Sequence, residues 1–180
     1  MAAHQGRRRD LKKPIEFSGT DTLIAWLRDS SLPEGFILLD GFPDAGKSNL
    51  GSKLSQSLGR SWVEFDQMAG GLQMSPSRPR YIDLLTVEAF NAAVGTNHAV
   101  LDGVTMLDIA DKFAIPIRAH IYVKRLTTHG IWPEEDELQS SNPRDLFTPP
   151  NALRLCVREY HQRTLPHQMC DALLTWYLTE

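Results

Sequence analysis

The run Gly41-Phe42-Pro43-Asp44-Ala45-Gly46-Lys47-Ser48 constrains this chain more than any other stretch. It spells G-x-x-x-x-G-K-S, the Walker A pattern. Glycine at each end admits backbone dihedrals closed to other residues and lets the chain pass close to a ligand. A loop of this kind turns backbone N–H groups inward toward phosphate oxygens, and the helix that opens behind it adds its positive dipole end. On this reading Gly41 through Ser48, with Asn49 next in line, cradle the phosphates of a nucleotide. Lys47 reaches the β- and γ-phosphates, and the Ser48 hydroxyl takes a place on Mg²⁺.

The flanks meet the conditions such a loop requires, a strand before it and a helix after it. Phe36-Ile37-Leu38-Leu39-Asp40 is a short apolar run, as expected of a strand covered on both faces. Leu50, Leu54 and Leu58 then recur at helical spacing, and Gly59 stands where a helix stops. The rest of the 180-residue chain is ordinary for one domain, with 42% hydrophobic and 23% charged residues. A net charge of −3 gives no reason to expect nucleic acid as a partner. No apolar run suits a membrane span, and no signal peptide stands at the start, so neither membrane nor export is expected. Cys156 and Cys170 make no disulfide framework, which points to a reducing, cytoplasmic setting.

Strand-like and helix-like stretches alternate along the chain. Leu23, Ile24, Trp26 and Leu27 mark a helix over about 20–29, ahead of the strand at 36–40. Further strands are expected at 62–65, 99–101, 120–123 and 172–178, and further helices around Val87 to Val94, Met106 to Phe113 and Leu153 to Tyr160. Residues 1–16, with Arg7-Arg8-Arg9 and Lys12-Lys13, read as a basic, solvated and disordered tail before a single domain over 17–180. Two stretches lack periodicity, 67–81 and 125–150. The first opens an acceptor-binding segment over 67–95, and the second reads as a lid. Such alternation argues an α/β fold with a parallel sheet and helices on both faces, and ligands beyond the carboxyl ends of the strands.

Two carboxylates fall at those ends. Asp102 closes the run Val100-Leu101 and can orient Mg²⁺, or open the turn at Gly103 and cap the helix near Thr105. Asp66 follows the second core strand. It can accept or position the proton of a substrate hydroxyl, or cap the turn into Gln67. Phosphoryl transfer also calls for guanidinium groups around the transferring oxygens. Candidates are Arg78 and Arg80 near Tyr81, Arg125 and Arg144 beside the second long loop, and Arg154, Arg158 and Arg163 on the last helix. Tyr160 and His161 read as a packed aromatic and a surface histidine on that helix, the alternative being that one of them lies against the nucleotide or acceptor, and the spacing of Cys156, His161, His167 and Cys170 matches no common zinc template.

Walker A, a second strand ending in Asp66, Leu101-Asp102-Gly103, and Tyr160-His161 with Pro166 ahead of Asp171 together resemble the P-loop kinases of the nucleoside and nucleotide kinase-like group, above all uridine-kinase-like proteins. The resemblance covers about residues 36–178 in motif order. It implies a three-layer P-loop NTPase fold, with a five-stranded parallel sheet in the order 2-3-1-4-5. It implies ATP and Mg²⁺ as cofactors and a small hydroxyl-bearing acceptor whose hydroxyl faces Asp66, and the first long loop, with Arg78, Arg80 and Tyr81, is where that acceptor is expected to bind. It matches Asp102-Gly103 to the family's strand-three Asp-Gly and Arg125 to a lid arginine; with the motif readings this makes Lys47, Asp66 and Arg125 the expected catalytic set and Ser48 and Asp102 the expected metal positions. The chain departs from the pattern at Gln67, at Asn49 and in the acidic lid residues Glu134, Glu135, Asp136 and Glu137. A different class of function stays open: an ATP-binding switch or adaptor with no acceptor. A homodimer is compatible with either.

Overall fold

Hydrophobic periodicity sets the elements of the fold. The computed structural model describes residues 13–29, 31–65, 85–95, 98–139, 145 and 150–177. Among these, the chain runs β1 (Ile15–Phe17), α1 (Thr20–Leu27), β2 (Phe36–Asp40), α2 (Lys47–Leu58), β3 (Trp62–Glu64), α3 (Val87–Val94), β4 (Val100–Asp102), α4 (Met106–Phe113) and β5 (Ile117–Leu126). A 3₁₀ turn (Glu135–Leu138), α5 (Ala152–Thr164), α6 (Pro166–Met169) and β6 (Ala172–Tyr177) complete it.

The strands form one sheet in the order β1-β6-β5-β2-β4-β3, and every neighbouring pair is parallel. Five of them stand in the expected order, but the sheet has six strands rather than five. The addition is β1, which lies beside β6 with Ile15 opposite Ala172. It begins inside the stretch read as a tail. Three residues, two of them exposed, are too few to show a period of two.

Side-chain alternation divides the core between the two faces. Ile37, Leu39, Val100, Ile121, Val123 and Leu174 pack with Leu23 and Leu27 of α1 and Leu50 and Leu54 of α2. On the other face Leu38, Leu101 and Tyr122 pack with Phe90 of α3, Met106 and Ile109 of α4 and Val157 of α5. Helices therefore cover both faces. Each enclosed Leu or Ile contributes about 1.5–3 kcal/mol by leaving water, so these two layers hold the sheet edge to a fixed shape.

Local signals end the helices. Gly59 closes α2 in the left-handed region, the Thr86 hydroxyl caps α3 at Ala89 N–H, and the Asn151 side chain caps α5 at Arg154 N–H. α4 stops at Ala114, itself left-handed at φ 51°, two residues before Pro116. Pro166 sits at the start of the short α6, where a missing N–H costs nothing. β5 is longer than the apolar run His120–Val123 suggested, and its extension carries Arg125 into the sheet.

Candidate functional site

The carboxyl edge of β2 carries the G-x-x-x-x-G-K-S run. Gly41 has φ +147°, and a Cβ there would lie 2.6 Å from the Val123 carbonyl oxygen of β5. Only glycine fits that approach. Asp44 turns left-handed at φ 60°, and Gly46, at φ +91°, is the residue from which α2 departs. No side chain caps α2. The N–H groups of Lys47, Ser48 and Asn49 therefore have no partner within the helix and stand at its positive end. Lys47 is buried, and its ammonium donates to the Phe42 carbonyl at 2.8 Å. A neutral carbonyl compensates a buried ammonium only in part, so the arrangement favours an anion at this spot.

Beside the loop lies a cleft of about 600 Å³, lined by Asp44, Gly46, Asn49, Lys53, Arg125 and Trp176 among others. The Lys53 ammonium stands 5.7 Å from the centre of the Trp176 ring. A Cβ on Gly46 would come 3.4 Å from the Trp176 indole nitrogen, so the ring borders the loop directly. Arg125 is a third exposed and pairs at 4.0 Å with Glu134. Arg125 Nε and Trp176 Nε1 both lack a hydrogen-bond partner among the described residues. Both atoms are enclosed in the wall of the cleft rather than presented to it.

On the face that carries α2, register aligns Leu39 with Asp102, and Asp102 with Glu64. The Ser48 hydroxyl donates to Glu64 at 2.7 Å. Glu64 was absent from the sequence expectation, which took the carboxylate at the end of the apolar run, Asp66. Alternation with Trp62 along the strand is the signal that places Glu64 toward the α2 face. Asp102 is fully buried at the end of β4. Ser48, Asp102 and Glu64 supply oxygen donors, the set that suits Mg²⁺, which takes one or two protein oxygens together with phosphate and water. Among the described residues no group of three or more His, Cys, Asp or Glu side chains is arranged to hold a metal by itself.

The opposite face of the sheet holds a buried polar network under the loop. Asp40, fully enclosed, accepts the Gly41 N–H at 2.8 Å on one oxygen. Its other oxygen accepts the Tyr160 hydroxyl in a short hydrogen bond and faces His120 Nε2 at 3.3 Å. Tyr160 in turn accepts the Leu107 N–H. Burial works to raise the Asp40 carboxyl, but His120 and Tyr160 hold it below the ordinary carboxylate range. Burial, together with the Asp40 charge, pushes the Tyr160 hydroxyl well up, so it stays a donor.

His161 is wholly buried and not at the surface as its helix position suggested. Its Nδ1 lies 2.7 Å from the Val157 carbonyl, which only accepts, so Nδ1 carries the proton. Nε2 then accepts the Tyr122 hydroxyl at 2.9 Å. Burial lowers its pKa to about 4 and keeps the ring neutral. The ring stacks on Phe42 of the loop, with centroids 4.1 Å apart.

The arginines of α5 are already engaged. Arg154 and Arg158 both donate to Glu137 of the 3₁₀ turn, and Arg158 also to Asp145, while Arg163 pairs with Asp108. The acidic stretch after β5 thus fastens that segment to α5. Asp66, Arg78, Arg80, Tyr81 and Arg144 lie outside the described residues. Cys156 and Cys170 are free and buried. Comparison with protein-family models, with curated proteins and with solved structures gives no match to this chain.

Proposed function

We propose that this chain is an ATP- and Mg²⁺-dependent kinase of the uridine-kinase-like P-loop type, acting on a hydroxyl of a small molecule such as a nucleoside or nucleotide. The observation that carries the reading is the loop from Gly41 to Ser48. It pairs a close glycine approach and a left-handed helix start with an uncapped helix and a buried lysine. That combination suits a phosphate chain and little else. The adjoining cleft, of a size usual for small-molecule sites, takes the remainder of the nucleotide, with Arg125 and Trp176 in its wall.

In this reading the N–H groups at the start of α2 and Lys47 bind and orient the phosphates, lowering the cost of charge gathered on the γ-phosphoryl oxygens. Ser48, Asp102 and Glu64 would hold Mg²⁺, which when bound neutralises phosphate charge. Asp66 accepts or orients the acceptor hydroxyl proton, with Arg78, Arg80 and Tyr81 on the acceptor side and Arg125 on the phosphate side. Two free cysteines suit a cytoplasmic setting, and no helix among the described residues is long and apolar enough to cross a membrane. The test is a metabolite library incubated with ATP·Mg²⁺ and read by mass spectrometry. One phosphorylated product with matching ADP release supports the kinase.

A nucleotide-binding switch is the second reading. The engagement of Arg154, Arg158 and Arg163 with carboxylates favours it, because it leaves fewer guanidinium groups for a transition state. ADP release that ignores every acceptor, or ATP binding without turnover, would select it.

A further inference from the structure

Helix α5 touches the loop of the proposed phosphate site at two separate points, and both contacts are buried. Tyr160 reaches across to Asp40, and the other oxygen of the same carboxylate takes the Gly41 N–H, the first amide of the loop. The next residue, His161, stacks on Phe42, whose carbonyl receives the Lys47 ammonium. The two attachments are built differently. The first is a chain of hydrogen bonds, Leu107 N–H to Tyr160 to Asp40, with His120 on the same oxygen. The second is a neutral ring fixed on both nitrogens, by Val157 and Tyr122, and stacked on Phe42, which Trp132 meets edge-on from elsewhere at 6.1 Å. A flexible ligand loop loses affinity through the entropy of ordering it, so attachments that order it beforehand raise affinity without touching the ligand.

We propose that Tyr160 and His161 are positioning residues that fasten the loop Gly41–Lys47 from beneath and set its shape for a phosphate chain. The inference rests on the phosphate-site reading above for its ligand, but not for its structural content. Asp40 is the relay for one end of the loop. Phe42 is the relay for the other, because its carbonyl and its ring report on Lys47 and His161 together. Loss of the Tyr160 hydroxyl leaves a carboxylate oxygen short of a donor and frees the Gly41 turn. Loss of the His161 ring removes the floor under Phe42.

The experiment compares the full chain with Tyr160→Phe, which deletes one oxygen, and Leu153→Ala, which trims a side chain packed against the core on the same helix and belongs to neither attachment. Both should lower overall stability. Amide hydrogen exchange of the loop and binding of tripolyphosphate are then measured under conditions where every variant stays folded. The proposal predicts faster exchange in residues 41–47 for Tyr160→Phe alone. It also predicts tripolyphosphate affinity about tenfold weaker, within what a hydrogen bond to a charged group supports. His161→Leu should give the same pattern through the Phe42 end. Equal loop exchange in Tyr160→Phe and Leu153→Ala overturns the fastening. Should the unaltered chain fail to bind tripolyphosphate, the phosphate-site reading falls, and loop exchange still decides whether α5 holds the loop.

Discussion

Acid should weaken this fold in a window that His161 sets. The ring is wholly enclosed between Val157, Tyr122 and Phe42, and burial, partly opposed by the Asp40 charge, lowers its pKa from 6.5 to about 4. In the unfolded chain the same imidazole takes up a proton at its ordinary value. Because the folded value is the lower one, the unfolded state binds more protons between 6.5 and about 4. The contribution is therefore fully present above 6.5 and is lost as the pH falls. The complete difference corresponds to about 3 kcal/mol, of which about 2 kcal/mol is gone by about pH 5. That is a sizeable part of a total stability of about 5–15 kcal/mol. His167, half-buried and also lowered by burial, adds in the same direction, whereas Asp40 loses its share only in stronger acid. The assay is urea unfolding followed by tryptophan fluorescence at about pH 7.5 and about pH 5, for the unaltered chain and for His161→Gln. The glutamine variant starts less stable, since it loses the stack on Phe42. Its further loss on acidification should be smaller by about 2 kcal/mol, because the contribution of His161 is absent. Equal losses in the two proteins would refute the assignment of a buried, neutral His161.

Gly41→Ala should cost roughly 2–4 kcal/mol in the same urea assay, since the methyl group meets the Val123 carbonyl and φ +147° is strained for any other residue. A cost below about 1 kcal/mol would mean that the loop does not pass that close to β5. Glu64→Gln should weaken ATP binding in the presence of Mg²⁺ and leave binding in EDTA unchanged, because Glu64 acts through the Ser48 hydroxyl. Calorimetry in the two buffers checks this, and an equal loss in both would assign Glu64 to the loop itself.

What the sequence made legible was whatever has a short-range signature. Leu50, Leu54 and Leu58 with Gly59 foretold α2, and the apolar run 36–40 foretold β2. Alternating strands and helices foretold the parallel sheet, with helices on both faces. The strand β1 escaped because three residues show no period and their pairing with β6 spans most of the chain. His161 was misplaced for a similar reason. Its helical position says which way it points, but not that Phe42 and Tyr122 close over it from elements far away in sequence. Asp40 looked like the end of a strand, and only the approach of His120 and Tyr160 turns it into the centre of a network. Glu64 needed strand register as well as sequence, since its partner is a hydroxyl on another element. The arginines of α5 were legible as cations, yet their partners lie in the 3₁₀ turn, in Asp145 and in α4, so nothing local marked them as engaged.

Binding of ATP·Mg²⁺ to the unaltered chain and to Lys47→Met, measured by titration calorimetry, tests the central claim most directly. Lys47→Met keeps the length of the side chain and removes the charge that the loop buries. The phosphate-site account predicts one saturable site in the unaltered chain. It predicts affinity at least about tenfold weaker in the variant, the effect of losing a charge-assisted contact to phosphate. No binding to the unaltered chain, or equal binding to both proteins, would contradict it.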